Sequence, residues 1–323
     1  MRCISTSKRR TRCASRTTIW SASARFEPKG PRGLANGVNA MNHTSADTTL
    51  RAFAQLIAEG TCLPAEERAP GPLKTGVDLG TANIVLSVVD ANNRPVTGAM
   101  FPSTVVRDGI VVDYVGAVSV VRRLKAELED RLGCPLTFAG TAIPPGILAG
   151  NVKAIANVVE AAGFEVADVS DEPTAASRVL GLREGAVVDV GGGTTGISIL
   201  KNGEVVFTDD EATGGTHMTL VLAGAHGVSF EEAEAMKKDT AAARDVFAVV
   251  QPVVEKMASI VKRCLKGYDV ETVYVVGGAC TFDQFEQVFR KEIGLTIVKP
   301  AEPLLVTPLG IAMYGATPGE GAL

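Results

Sequence analysis

Two short segments of this chain bring a carboxylate, glycines and threonines together in a pattern that could hold a phosphate and a metal ion. Gly76-Val77-Asp78-Leu79-Gly80-Thr81 is followed by the apolar run Ile84–Val89. Val187-Val188-Asp189-Val190-Gly191-Gly192-Gly193-Thr194-Thr195 is followed by Ile197-Ser198-Ile199-Leu200. Each reads as a strand closing on Asp, a glycine turn with Thr, and a second strand. Each then turns again at polar residues, Ala91-Asn92-Asn93 and Lys201-Asn202-Gly203, into a further strand. A glycine turn lets backbone N–H groups approach an anion closely. A threonine hydroxyl adds a donor, and the Asp can organise Mg²⁺ through water, because that ion keeps much of its hydration shell. A single copy could be no more than a tight turn. Two copies, with their Asp residues 111 positions apart, weaken that reading and suggest two similar lobes.

Gly191 to Gly196 also fits G-x-G-x-x-G, but a dinucleotide-binding turn must open a helix. Here Ile197 and Ile199 alternate with Ser198, which is strand periodicity, and no G-x-x-x-x-G-K-[ST] occurs. Two further elements carry less weight alone. Asp171-Glu172-Pro173-Thr174-Ala175-Ala176 follows the strand Phe164–Val169. Pro173 suits the first helical position and puts Glu172 on the N-cap side, as a plain cap or as a carboxylate able to orient water. Val275-Val276-Gly277-Gly278-Ala279 ends a strand in a glycine pair that could admit a flat adenosine.

The elements that must position these groups alternate between strand and helix periodicity. Helices are expected over Asp47–Glu59, Gly116–Leu132, Asn151–Ala162, from Pro173, over most of Phe230–Leu265, over Phe282–Ile293 and over Pro308–Tyr314. Strands are expected over Thr75–Asp90, Phe138–Ile143, Phe164–Val169, Ala186–Phe207, Thr272–Val276 and Thr296–Val298. This is an α/β chain. Pro64, Pro70, Gly71 and Pro72 mark a linker, so 41–72 reads as a short helix and linker before the main domain.

The 323 residues, 46% hydrophobic, suffice for a two-lobed interior, and no apolar run reaches the roughly 18 residues of a membrane span. The six cysteines lack any C-x-x-C pair and the three histidines lack metal-ligand spacing, which argues against a disulfide framework or zinc site. Residues 1–40 hold nine Lys/Arg against Glu27 alone, leaving 23 basic and 35 acidic residues and a net charge of −12 beyond them. An acidic body disfavours nucleic-acid binding. The basic leader reads as a disordered arm, a targeting segment or a start placed upstream of Met41, and the ordinary sequence after Met41 favours the last.

In order, GVDLGT, DEPTAA, DVGGGTT, VVGGA and TPLGIAMYGA (Thr307–Ala316) resemble the motif series of the actin-like ATPase superfamily, over about Leu73 to Ala316. VVRDGIVVDYVGAVSVVRR (Val105–Arg123), DVGGGTTGISI and DEATGGTHMTLVLAG (Asp210–Gly224) resemble more closely the EutJ family of ethanolamine-utilisation proteins. The resemblance implies two ribonuclease-H-like lobes, 73–181 and 182–323, the second including a C-terminal connecting helix. ATP and Mg²⁺ would lie between them. By that resemblance Asp78 and Asp189 organise the metal through water. Gly80, Thr81, Gly191, Gly192, Gly193, Thr194 and Thr195 hold phosphates, and Glu172 polarises the attacking water. Gly277 and Gly278 border adenosine, and Glu234 and Lys237 bracket the nucleoside. It further implies a cytoplasmic factor working on ethanolamine ammonia-lyase or on microcompartment components.

The departures limit that transfer. The catalytic lysine of DnaK-type relatives has no clear counterpart, Arg107 and Arg122 being the candidates. The stretch Gly215–Thr272 is short, implying a reduced outer subdomain, and no peptide-binding domain is expected after Ala316. A slow ATPase, a nucleotide-gated scaffold without turnover, and a small-molecule kinase remain open. The kinase would need an acceptor-facing carboxylate in the first lobe, and no such second motif is evident.

Overall fold

A computed structural model describes residues 35–107 and 109–314. The leader up to residue 34 lies outside the described residues. The chain opens with α1 (Ala35–Glu59), followed by β1 (Lys74–Leu79), β2 (Asn83–Val89), β3 (Pro95–Pro102), a small hairpin of β4 (Val106–Arg107) and β5 (Ile110–Val111), then α2 (Tyr114–Leu132), β6 (Phe138–Ile143), α3 (Ala149–Ala161), β7 (Glu165–Asp171) and α4 (Glu172–Leu180). The second half runs β8 (Gly185–Val190), β9 (Thr195–Lys201), β10 (Glu204–Glu211), α5 (Gly215–His226), α6 (Phe230–Lys238), α7 (Ala243–Cys264), β11 (Thr272–Val276), α8 (Phe285–Ile293), β12 (Thr296–Val298) and α9 (Pro303–Tyr314).

The halves repeat one topology. The first sheet is ordered β3-β2-β1-β6-β7 and the second β10-β9-β8-β11-β12. In each, three antiparallel strands are extended by two parallel ones. Asp78 pairs with Val85 and Asp189 with Gly196, so both acids stand at the carboxyl end of their sheet's central strand. The first lobe buries Val77, Leu86, Val121, Leu128 and Ile155, and the second Val188, Ile197, Met218, Val250 and Phe285. Between β10 and β11 lie three helices and, among the described residues, no strand, so the outer part of the second lobe is small.

A third apolar core joins the lobes. Leu180 of α4 and Leu309 and Ala312 of α9 meet Val89, Val187 and Tyr274 there, together with Leu50 and Phe53 of α1. The two connecting helices cross closely: a Cβ on Gly310 would lie 2.0 Å from the Ala175 carbonyl oxygen.

Several boundaries differ from the sequence expectations. α9 begins at Pro303, not Pro308, and carries Pro308 in its interior. Its residues Leu305–Met313 are all buried, and the Pro308 carbonyl accepts from Ser87 Oγ at 2.5 Å. Burial between two sheets outweighs the lost backbone donor. α1 starts twelve residues before Asp47. Apolar periodicity reports only buried positions, and the first of these on the described part of the helix is Ala46. Asp171, not Glu172, is the N-cap of α4: its Oδ1 accepts from the Thr174 amide at 2.9 Å. α5 is a helix that periodicity does not announce, because exposed Leu220 and Val221 beside buried Met218 and Leu222 blur its pattern. Among the described residues no helix is long and apolar enough to cross a membrane.

Candidate functional site

The carboxyl ends of the two sheets face a cleft of about 890 Å³, the size range of small-ligand sites. Asp78, Gly80, Thr81, Glu172, Asp189, Gly191, Gly192, Gly193, Thr194, Glu234, Lys237, Gly277 and Gly278 all line it. Thr195 does not: it is fully buried, and its hydroxyl donates to the Thr213 carbonyl. Arg107 is exposed, and Arg122 is exposed with its guanidinium donating to the Ala161 carbonyl at 2.6 Å; neither lines the cleft.

The two glycine turns meet across the cleft floor. A Cβ on Gly192 would stand 3.1 Å from Thr81 Cβ and 3.3 Å from the Ala82 nitrogen. The second turn is held from behind by α5, whose Gly215 and Thr216 amides donate to the Gly191 and Gly192 carbonyls at 2.9 and 2.7 Å. With those carbonyls engaged, the turn is fixed in place where it lines the cleft.

Asp189 is clamped. Thr307 of α9 donates its hydroxyl to Asp189 Oδ2. On the other side Gly277 has φ +93°, and a Cβ there would lie 2.4 Å from Asp189 Oδ1. Only glycine meets both demands. Gly277 thus lets the β11 turn close over the acid. Thr307 opens the last of the sequence motifs, where residue type alone assigns it no role; its hydroxyl shows what it does.

The acids crowd one another. Burial, with the Asp189 charge second, pushes Asp78 up to about 7. Burial pushes Asp189 up to about 6, against the hydrogen bond from Thr307. Glu172 is raised well above the usual range by burial, then by Asp189, Asp78, Asp210 and Asp171. Three carboxylates under this pressure favour either protons or a cation. Among the described residues no three His, Cys, Asp or Glu side chains are grouped to bind a metal directly. Raised, buried carboxyls of this kind suit a cation that keeps its own water shell.

The Asp78 shift has a consequence for stability. An unfolded Asp titrates near 4, so between about pH 4 and 7 the ligand-free folded protein keeps a proton that the unfolded chain has lost. That contribution to stability falls as pH rises through this window and is flat above it. Asp78→Asn should therefore gain in melting temperature over the parent at pH 8 compared with pH 4.5. A difference between the two proteins that is the same at both pH values would show that Asp78 does not titrate in this window.

On the opposite wall Lys237 Nζ pairs with Glu234 Oε2 at 2.6 Å and donates to Thr219 Oγ1 at 2.7 Å and the Gly215 carbonyl at 3.0 Å. Burial alone would raise Glu234, but hydrogen bonds from Lys237 and Thr219 outweigh it and hold the carboxyl below its usual range. Burial lowers Lys237, with Glu234 opposing. The pair thus ties α6 to the start of α5 while bordering the cleft. Lys238 and Arg244 also line it, and their sequence context carries no signal beyond solvated helix charges.

Two lobes of this repeated topology, with paired Asp-glycine hairpins facing one cleft, form the actin-like ATPase fold. The Hsp70 protein family matches residues 113–223, and the type IV pilus assembly protein PilM family matches 173–307. MreB5 of Spiroplasma citri bound to AMPPNP superimposes with a TM-score of 0.62 at 16% identity, covering 76% of this chain and 96% of that one, which shows the shared fold. The ethanolamine utilization protein EutJ of Salmonella typhimurium (strain LT2) is 44% identical over 265 residues, 82% of this chain and 93% of the relative. The crystal structure of EutJ from Carboxydothermus hydrogenoformans is 48% identical with a TM-score of 0.80, covering 85% of this chain and all of that one. The chain belongs to the EutJ family of ethanolamine-utilisation proteins. The resemblance read from its motifs is borne out in both family and fold.

Proposed function

We propose that the cleft binds Mg-ATP and that the protein is a slowly hydrolysing, nucleotide-responsive accessory factor of ethanolamine utilisation. Its partner would be ethanolamine ammonia-lyase or a component of a bacterial microcompartment, in the cytoplasm. The observation that carries the reading is the convergence of Asp78, Asp189 and Glu172 where the two glycine turns meet. AMPPNP bound to MreB5, a protein of the same fold, supports it. Bound Mg²⁺ would supply charge neutralisation for the phosphates. Asp78 and Asp189 would hold its water shell. Thr81 and the Gly191–Thr194 turn would bind phosphate oxygens. Gly277, Gly278, Glu234 and Lys237 would border the nucleoside, and Glu172 would accept a proton from an oriented water.

A second reading, binding without turnover, draws on one feature. Among the described residues no Lys or Arg of the first lobe lines the cleft, so positive charge comes only from Lys237, Lys238 and Arg244 of the second lobe. One fewer cation at the phosphates means less stabilisation of a developing charge.

Titration calorimetry tests the binding claim. Asp189→Asn keeps the size and the Thr307 contact but removes the charge. Its affinity for Mg-ATP should fall by about tenfold or more, as when a group orienting a metal's ligands is lost. Its affinity for ATP in excess chelator should stay near the parent's. Equal losses in both would reduce Asp189 to a turn residue.

A further inference from the structure

α1 lies outside both repeated lobes, yet it touches each. Its Leu50 and Phe53 are fully buried in the core between the lobes. On the first lobe it lies flat on β3: a Cβ on Gly98 would come 2.6 Å from Phe53 Cε2 and 2.9 Å from Ile57 Cγ1. The chain leaving the helix is stitched to the same strand, with the Leu63 amide donating to the Val96 carbonyl at 2.8 Å and Thr97 Oγ1 to the Thr61 carbonyl at 2.9 Å. On the second lobe, Asp47 Oδ1 accepts from the Ala301 amide, in the loop between β12 and α9, at 2.9 Å. Among the described residues, none of α1 lines the cleft. Val89, which shares its core, pairs with Lys74 at the start of β1, the end of the sheet away from Asp78.

We propose that α1 is a hinge strap, fixed to the first lobe through Phe53 and Ile57 and to the second through Asp47, that holds the lobes together at the end opposite the cleft. An opening that turned the two halves about the α4–α9 crossing would change the distance between β3 and the Ala301 loop. A stiff helix attached at both points resists that change. Releasing one attachment shifts the lobes towards open forms. The link from opening to nucleotide release rests on the function proposed above; the strap itself does not.

Hydrogen–deuterium exchange on the full chain without nucleotide reads the strap directly. Asp47→Ala removes the hydrogen bond to the second lobe, Phe53→Leu loosens the packing on β3, and Arg51→Ala, at an exposed α1 position, is the control. Asp47→Ala is expected to speed exchange about tenfold, a common size for coupling between sites, in α4, α9 and the 191–194 turn. Strands β2 and β11 should keep the parent's rates. Phe53→Leu should act in the same direction and Arg51→Ala should do nothing. Acceleration confined to α1 would overturn the proposal, as would equal acceleration everywhere, which marks general destabilisation. A fluorescent ADP analogue separates the two claims. Faster release from Asp47→Ala supports both. Faster exchange in a protein that binds no analogue supports the strap and overturns the nucleotide reading.

Discussion

Glu172→Gln is expected to lower ATP turnover by about 10²–10⁴-fold, the usual contribution of a positioned acid–base group, while leaving ATP affinity within about twofold. The size of the effect follows from the division of labour at the start of α4. Asp171 supplies the cap and also receives Ser198 Oγ of the second lobe at 3.4 Å, so Glu172 is not needed to satisfy the helix. Its carboxyl is instead set at the cleft, raised by burial and by the neighbouring acids. A nearby divalent cation would oppose those acids and let it ionise as a base. Gln preserves the shape and hydrogen-bonding reach but accepts no proton. Steady-state turnover with calorimetric affinities checks this. Tight binding beside undetectable turnover in the parent would favour the scaffold, and turnover indifferent to the substitution would assign the water to another group.

The largest stability effect is expected at a residue that does no chemistry. Gly310→Ala places a Cβ 2.0 Å from the Ala175 carbonyl oxygen and 2.5 Å from its carbon. Neither atom belongs to a flexible side chain, so α4 and α9 must separate. A loss of about 3 kcal/mol or more is expected, at the upper end of overpacking effects. Gly224→Ala, the same change in a helix where the new Cβ meets nothing within 4 Å, should be neutral or stabilising by up to about 1 kcal/mol. Urea unfolding of the two variants measures the contrast; equal effects would mean the crossing can relax. Because α4 carries Glu172 and α9 carries Thr307, any Gly310 variant that still folds should also shift the site.

Much of this is legible along the chain because the paired glycine turns are local features. The paired hairpins are short segments whose Asp, Gly and Thr residues follow one another in sequence, and Phe138–Ile143, Thr272–Val276 and Thr296–Val298 match their strands end to end. Elements packed on several sides read less well. In α9 uniform burial erases any polar face and Pro308 looks like a beginning, and in α5 apolar residues both inside and outside mask the period.

By itself the sequence determined that two Asp-glycine hairpins head two similar α/β halves, and which residue types could hold a phosphate or a metal. These are properties of neighbouring residues and their spacing. Tertiary structure decided the rest. It turned Thr195 inward to Thr213 and set Thr307 and Gly277 against Asp189 from 118 and 88 positions away in the chain. It also buried Asp78, Asp189 and Glu172 in one cleft, which raises each carboxyl above its usual range. Whether a carboxylate caps a helix, braces a hydroxyl or stands open to a cleft depends on which distant atoms fill the space around it. Only the packing of the two lobes on α4 and α9 sets those distances.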